Sequence, residues 1–257
     1  MSFVNNYKPP NPESEVDISI NNDEPYSINC NVHVPAVLET DRVELVPFIP
    51  SLHAEAVFSI ISTHPEIERF LPISWPTLDS FLAFMERFVR QREDTALFIV
   101  VDKTKPPSSE ADNTVKNGKI AGLTGWLHAS PQNLSVEIGP VIVFPEFQRT
   151  FVSANAIGLL LRHFLDLPAQ GGLGFRRLVW CASPLNAASV AAAEKMQFVK
   201  EGVTRWLWIL PEGKEGGKPV DGKRGSGEGR DTVVLSLCWD DWEAHARDAV
   251  TKRMERV

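Results

Sequence analysis

Cysteine is scarce in this chain. Only Cys30, Cys181 and Cys238 occur in 257 residues, far apart and with no Cys-x-x-Cys pair. That spacing gives neither a disulfide framework nor a thiolate zinc site. Histidine is no richer in pattern: the six residues are scattered and none forms a His-Glu-x-x-His motif, so no metal is expected. The chain lacks a basic cluster and carries a formal net charge of −7, which argues against a nucleic-acid surface and is compatible with a cationic partner. No apolar run approaches the roughly 18 residues of a membrane span, so no membrane role is expected. Met1–Asn11 has neither the basic nor the apolar region of a secretory signal. With unpaired thiols, this points to the cytoplasm. No internal repeat is visible. What is present in quantity is core material: 43% of the residues are hydrophobic and seven are Trp.

Residues 1–36 are rich in Asn, Pro, Asp and Glu and read as an extended or partly disordered arm, within which Val16-x-Ile18-x-Ile20 alternates like an edge strand. Residues 37–257 read as one domain. A strand is expected over Arg42–Ile49, a helix from Pro50, and a second helix capped by Thr77 with Phe81, Phe84, Met85, Phe88 and Val89 on its apolar face. Ala96–Val101 and Ile120–Leu127 are strands, and the polar stretch 103–118 is a hairpin insertion between them. A strand through Glu137 follows, then a helix over Ala154–Leu167, a strand at Arg177–Ala182 and a helix at Ala187–Met196. Val203–Leu210 and Thr232–Trp239 are the last strands, joined by a second insertion at 211–230. A final helix is capped by Asp240 or Asp241. The order β-α-α-β-β-β-α-β-α-β-β-α belongs to a mixed α/β (α+β) fold around one sheet.

Three places carry candidate chemistry. Gln148–Ala154 joins a strand to a helix, and the free N–H groups and positive dipole end of such a helix suit a phosphate, with Arg149 adding charge. An ordinary turn with a solvated Arg149 is the other reading. Alternation places Val136, Ile138 and Ile142 on one strand face and Ser135, Glu137, Val141 and Val143 on the other. Glu137 is therefore either solvent-facing or held in a cleft, where it can take a proton from an ammonium. Asn186 and Ser189 share a helical face. They can serve an amide and a leaving thiolate, or Asn186 can simply cap a turn.

In order, the chain carries Glu137-Ile138-Gly139, Gln148-Arg149-Thr150, Arg176-Arg177-Leu178, Asn186 with Ser189, Glu194-Lys195 with Phe198, Glu201-Gly202 with Arg205, and Arg230-Asp231-Thr232 before Trp239 and Trp242. This series resembles the GCN5-related N-acetyltransferase (GNAT) superfamily, in the branch of the RimJ/RimL-type ribosomal-protein N-acetyltransferases, over roughly Leu38–Glu243. The resemblance implies a GNAT-like acyl-CoA N-acyltransferase fold, a twisted mixed sheet whose middle strands splay apart around acetyl-CoA. It implies that the backbone of Ile142, Val143 and Phe144 pairs with the pantetheine. The pyrophosphate would lie on the N–H groups of Gln148, Arg149, Thr150 and Phe151, and of Val152, Ser153 and Ala154. Asn186 and Ser189 would meet the pantetheine arm. The implied reaction is direct attack of a neutral primary amine on the acetyl thioester, without metal, with Glu137 as base or water-positioner and Ser189 as acid. The acceptor is an amine, either a small molecule or a peptide N-terminus, with Phe70, Trp75, Trp126 and His128 as pocket candidates or packing residues. A monomer or homodimer is expected. Phe151 and Ser153 stand where the superfamily's phosphate loop has Gly, Ala193 stands where many members have a Tyr acid, and Gln197 replaces the usual Gly before Phe198. Phe151 and Ala193 favour the alternative, a degenerate domain that binds acyl-CoA or a partner protein without catalysis.

Overall fold

A computed structural model describes residues 4, 18, 25–107, 115 and 117–256; the alternating stretch at 16–20 lies outside these residues apart from Ile18. The first strands are β1 (Leu38–Glu39) and β2 (Val43–Pro47), followed by α1 (Pro50–Thr63) and α2 (Leu78–Met85). Pro50 begins α1, where its missing N–H and fixed φ are harmless. Thr77 caps α2 as expected, reciprocally with Ser80. The chain then runs through β3 (Ala96–Asp102), β4 (Lys119–Ser130), β5 (Ser135–Val143), α3 (Phe151–Leu165), β6 (Arg177–Ala182), α4 (Ala187–Lys195), β7 (Val199–Ile209) and β8 (Gly229–Cys238). The C-terminal helix starts as α5 (Trp239–Asp241), passes a π-turn at Trp242–Ala246 and ends as α6 (Arg247–Met254). Cys238, not Asp240 or Asp241, is its N-cap, and no side chain caps it.

All eight strands form one mixed sheet, in the order β1-β2-β3-β4-β5-β6-β8-β7. β3 reads Ala-Leu-Phe-Ile-Val-Val-Asp and is buried at every position, because helices cover both faces of the sheet centre. On one face, Trp126 of β4 meets Phe164 and His163 of α3. The other face is left to α1 and α2, where Phe81 packs edge-on to Phe48 and Trp75. Trp242 is fully buried and its Nε1 donates to Asp166 just past α3, which fastens the C-terminal helix to the α3 layer.

The segment between β7 and β8 does not swing free. Lys214 Nζ donates to the Glu68 carbonyl and Arg69 forms a two-pronged pair with Glu215. The segment therefore sits against the 65–70 turn after α1.

Candidate active site

The sheet forks between its two middle strands. β5 and β6 run parallel and pair only at Ser135↔Arg177, Val136↔Leu178 and Glu137↔Val179. β5 nevertheless continues to Val143 and β6 to Ala182. Beyond Glu137, β5 keeps to β4, through Thr124↔Val141, Leu123↔Ile142 and Gly122↔Val143. Gly122 permits this closeness, since a Cβ there would stand 2.0 Å from the Ile142 carbonyl oxygen. Phe144 N–H donates to the Ala121 carbonyl on the β4 side. Backbone groups alternate along a strand, so Phe144 and Ile142 address β4 and Val143 addresses the gap. Of the three residues expected to face an extended ligand, only Val143 turns its own N–H and C=O that way. Its carbonyl accepts from Gln148 Nε2 at 3.1 Å.

A bulge changes the faces read from alternation. Trp126 pairs Ile138 and Thr124 pairs Val141, so Gly125 on β4 faces two residues on β5, Gly139 and Pro140. One extra residue at Gly139-Pro140 puts Val141 with Ile138 and turns Ile142 to the face of Glu137. Strict alternation had placed Ile142 on the opposite face, because an inserted residue leaves no periodic mark in the sequence.

Glu137 lies at the fork, with its side chain 18% exposed and His128 Nδ1 at 3.1 Å from Oε2. His128 sits at φ +54° beside the β4–β5 turn. The Glu137 carboxylate holds the imidazole pKa above its ordinary value, against the opposing effect of burial. Cys181 lies on the same sheet face, since Val179 pairs with Glu137 and Cys181 is two residues on. Burial, reinforced by Glu137, pushes its thiol up to about 12, so it stays protonated. Arg230 of β8 completes the group. It is 6% exposed, its Nη1 donates to the Phe70 carbonyl and its Nη2 to Thr232, and it interacts electrostatically with Cys181 and Glu137.

The turn before α3 has a side-chain cap that the sequence reading did not require. Thr150 Oγ1 accepts from Val152 N–H and donates to the Phe147 carbonyl. The other first-turn donors remain those of any helix start. Arg149 is exposed and lies at φ +63°, a left-handed conformation unusual for a residue with a Cβ. Phe151 turns away from the gap: its ring lies 4.3 Å beneath the Arg42 guanidinium, and Arg42 in turn binds the carbonyls of Met254 and Arg256. Val152 and Ala154 are buried and Ser153 is half-buried. At the head of the loop, Lys105 and Lys119 both bind Glu146.

At α4, Asn186 is the N-cap, its Oδ1 accepting from Ser189 N–H. Ser189 Oγ accepts from Trp180 Nε1 at 3.0 Å. The four acceptor-pocket candidates separate. Phe70 and His128 border the Glu137 face. Trp126 is fully buried under α3, stacked on His163, and is a core residue. Trp75 is 4% exposed between Phe81 and Phe84 and belongs to the α2 packing. Sequence alone offered no way to tell these tryptophans from pocket residues. Arg230 was visible only as a motif letter, although Arg230 and Thr232 alternate on one strand face. Cys238, Asp240 and Asp241 bring ligand atoms within 4.8 Å of one another at a helix start, with Asp240 exposed and the other two half-buried, and are not part of the fork.

A mixed sheet forked over a carboxylate, with a helix start at the open end of the gap, is the framework of an acyl-group transferase. The model of the acetyltransferase (GNAT) domain matches residues 42–199, more than half of the chain. The chain belongs to the GNAT acetyltransferase family and is an acyltransferase. No curated protein matches it. Among solved structures it is similar to a GCN5-related N-acetyltransferase from Brucella melitensis, with TM-score 0.65 and 24% identity over 85% of each chain. A probable acetyltransferase (GNAT family) from Chromobacterium violaceum gives TM-score 0.64 and 25% identity, covering 88% of this chain and 99% of the other. Mycobacterium smegmatis RimJ in complex with CoA-disulfide gives TM-score 0.55 and 16% identity, covering 82% and 88%. Among the described residues no helix is long and apolar enough to cross a membrane.

Proposed function

We propose that this protein is an N-acetyltransferase that moves the acetyl group of acetyl-CoA to a primary amine, in the manner of the RimJ/RimL branch. The observation that carries this reading is the fork itself. β5 and β6 part after Glu137, and beyond that point the Val143 backbone faces the gap. The residues fit a CoA thioester. The pantetheine takes the place of the Gln148 amide on Val143, the pyrophosphate lies at the start of α3 beside Arg149, and Phe151 is held out of the way by Arg42. The Asn186 amide N–H groups remain able to donate while its oxygen caps α4.

Glu137, through His128 or a water, takes the proton of the attacking amine. The new carbon–nitrogen bond forms as the carbon–sulfur bond breaks; the Ser189 hydroxyl, whose oxygen Trp180 holds in place, donates a hydrogen bond to the departing thiolate and relays a proton to it from solvent, which reprotonates the serine oxygen in the same step. A general base of this kind typically contributes 10²–10⁴-fold. Glu137→Gln should lower kcat by about 10²-fold and leave the dissociation constant for acetyl-CoA within twofold. Thiol release with an amine panel and calorimetry with acetyl-CoA measure both quantities. Full turnover in that variant removes Glu137 from the mechanism, and absence of acetyl-CoA binding at high micromolar concentration removes the whole reading.

A further inference from the structure

Arg230 is a buried cation that hydrogen-bonds to no anion among the described residues: Glu137 lies within electrostatic reach but makes no direct contact with it. It is 6% exposed, and its two hydrogen bonds go to neutral oxygens, the Phe70 carbonyl at 3.0 Å and the Thr232 hydroxyl at 3.1 Å. Its Nε–H is buried and has no partner among the described residues. A guanidinium carries five N–H donors in a planar fork, so most of this one's capacity is unused. Burying an ion costs several kcal/mol unless a counter-charge offsets it. Burial depresses the guanidinium pKa here, and the Cys181 and Glu137 groups offset it only in part.

The position of Arg230 indicates what is missing. Residues 230, 232, 234 and 236 alternate onto one face of β8, and Val234 and Ser236 pair with Cys181 and Val179. Val179 pairs with Glu137. Arg230 and Glu137 therefore serve the same face of the forked sheet, and the Glu137 carboxylate is already in contact with His128 at its exposed side. The face thus offers an anion where the amine is to lose its proton and, farther along, a planar cation whose Nε–H has no hydrogen-bond partner among the described residues.

We propose that Arg230 binds a carboxylate on the acceptor, so that the substrate is a small acidic amine such as a free α-amino acid. The inference rests on the acyl-transfer reading above. Arg230 touches neither the bond that forms nor the bond that breaks; it binds substrate. A guanidinium fork matches a carboxylate through two parallel hydrogen bonds, which a carboxamide reproduces poorly.

The test uses matched acceptors, a set of amino acids and their carboxamides, with the full-length protein, Arg230→Met and Arg230→Lys. Wild type should favour the free acid at least tenfold in kcat/KM. Arg230→Met should abolish that preference by raising KM for the acid at least tenfold more than for the carboxamide, and Arg230→Lys should restore part of it. Calorimetry of the same acceptors on CoA-loaded protein reads the site independently of turnover. Binding of the acid by wild type and its loss in Arg230→Met supports the inference even where no acetyl group is transferred, an outcome that counts only against the acyl-transfer reading. Equal kcat/KM for acid and carboxamide in wild type overturns it. So does an equal loss on both acceptors in Arg230→Met, which makes Arg230 a purely structural tie. The wild-type comparison stands even if the variants do not fold.

Discussion

In the proposed mechanism the reacting centre rests on the His128–Glu137 pair, whose pH behaviour has a definite sign. His128 has its pKa raised by Glu137, so its ring stays protonated to higher pH than a free imidazole, and the pair is complete below that pKa. While His128 is charged it engages the carboxylate that, in the proposed mechanism, accepts the amine proton. The acid limb of kcat/KM should therefore fall above the ordinary His value of about 6.5. His128→Ala should move it to lower pH, measured with one acceptor of fixed amine pKa; an unmoved limb assigns that ionisation to another group. Cys181 does not contribute a nucleophile, because burial and Glu137 keep its thiol protonated up to about 12. At the same scale, Phe151 occupies a glycine position without obstructing the gap because its ring is stacked under Arg42. Sequence placed Phe151 next to the turn proposed for the pyrophosphate; the side-chain direction came from Arg42, more than a hundred residues earlier in the chain.

Among the elements, β4 and β5 set the width of the gap. Gly122 leaves no room for a Cβ, since the nearest atom, the Ile142 carbonyl oxygen, lies at 2.0 Å and belongs to backbone that cannot rotate away. Gly122→Ala must push β5 off β4, towards the space between β5 and β6. It should destabilise the fold by about 2 kcal/mol or more, as overpacking does, and weaken acetyl-CoA binding as well. Urea unfolding and calorimetry read the two effects, and a variant of unchanged stability contradicts the backbone contact. Most elements were legible from periodicity. The second helix with its Thr77 cap is an example, because an N-cap and an apolar stripe are local signals. The bulge at Gly139-Pro140 was not legible, nor was the face of Ile142, since both follow from pairing with β4. The cap of the C-terminal helix differs from the expected Asp240 or Asp241 for a related reason. Asp240 and Asp241 have the right chemistry, but the helix starts one residue earlier at Trp239, following a strand that ends at Cys238.

In the molecule as a whole, acid stability has an identifiable origin. His53 and His163 are 2% and 6% exposed, and burial lowers both pKa values to about 4. His53 is also bound as a neutral acceptor, taking the Ile49 N–H on Nδ1. Unfolding would let both rings protonate near pH 6.5. Their contribution is therefore complete above about pH 6.5 and is lost as pH falls towards 4. At the acid end it amounts to on the order of 3 kcal/mol for each ring. Glu201, held down to about 2 by Arg177 and Ser236, acts only at lower pH, so it does not mask this window. Denaturation midpoints between pH 7 and 4.5 should fall steadily in the wild type and less steeply in His163→Gln; a flat profile shows that the rings are not held neutral.

The sequence by itself determined the order of helices and strands, the motifs that mark the family, and the candidacy of Glu137, because these depend on local periodicity and on residues near one another in the chain. Tertiary structure decided which of those residues share a site. It put Trp126 and Trp75 into packing, brought His128 across a hairpin to Glu137, and brought Arg230 back from the last strand to the same face. The physical reason is that burial and charge pairing are properties of neighbours in space. The neighbours of the fork come from β4, β5, β6 and β8 and from the turn after α1, which only the folded sheet brings together.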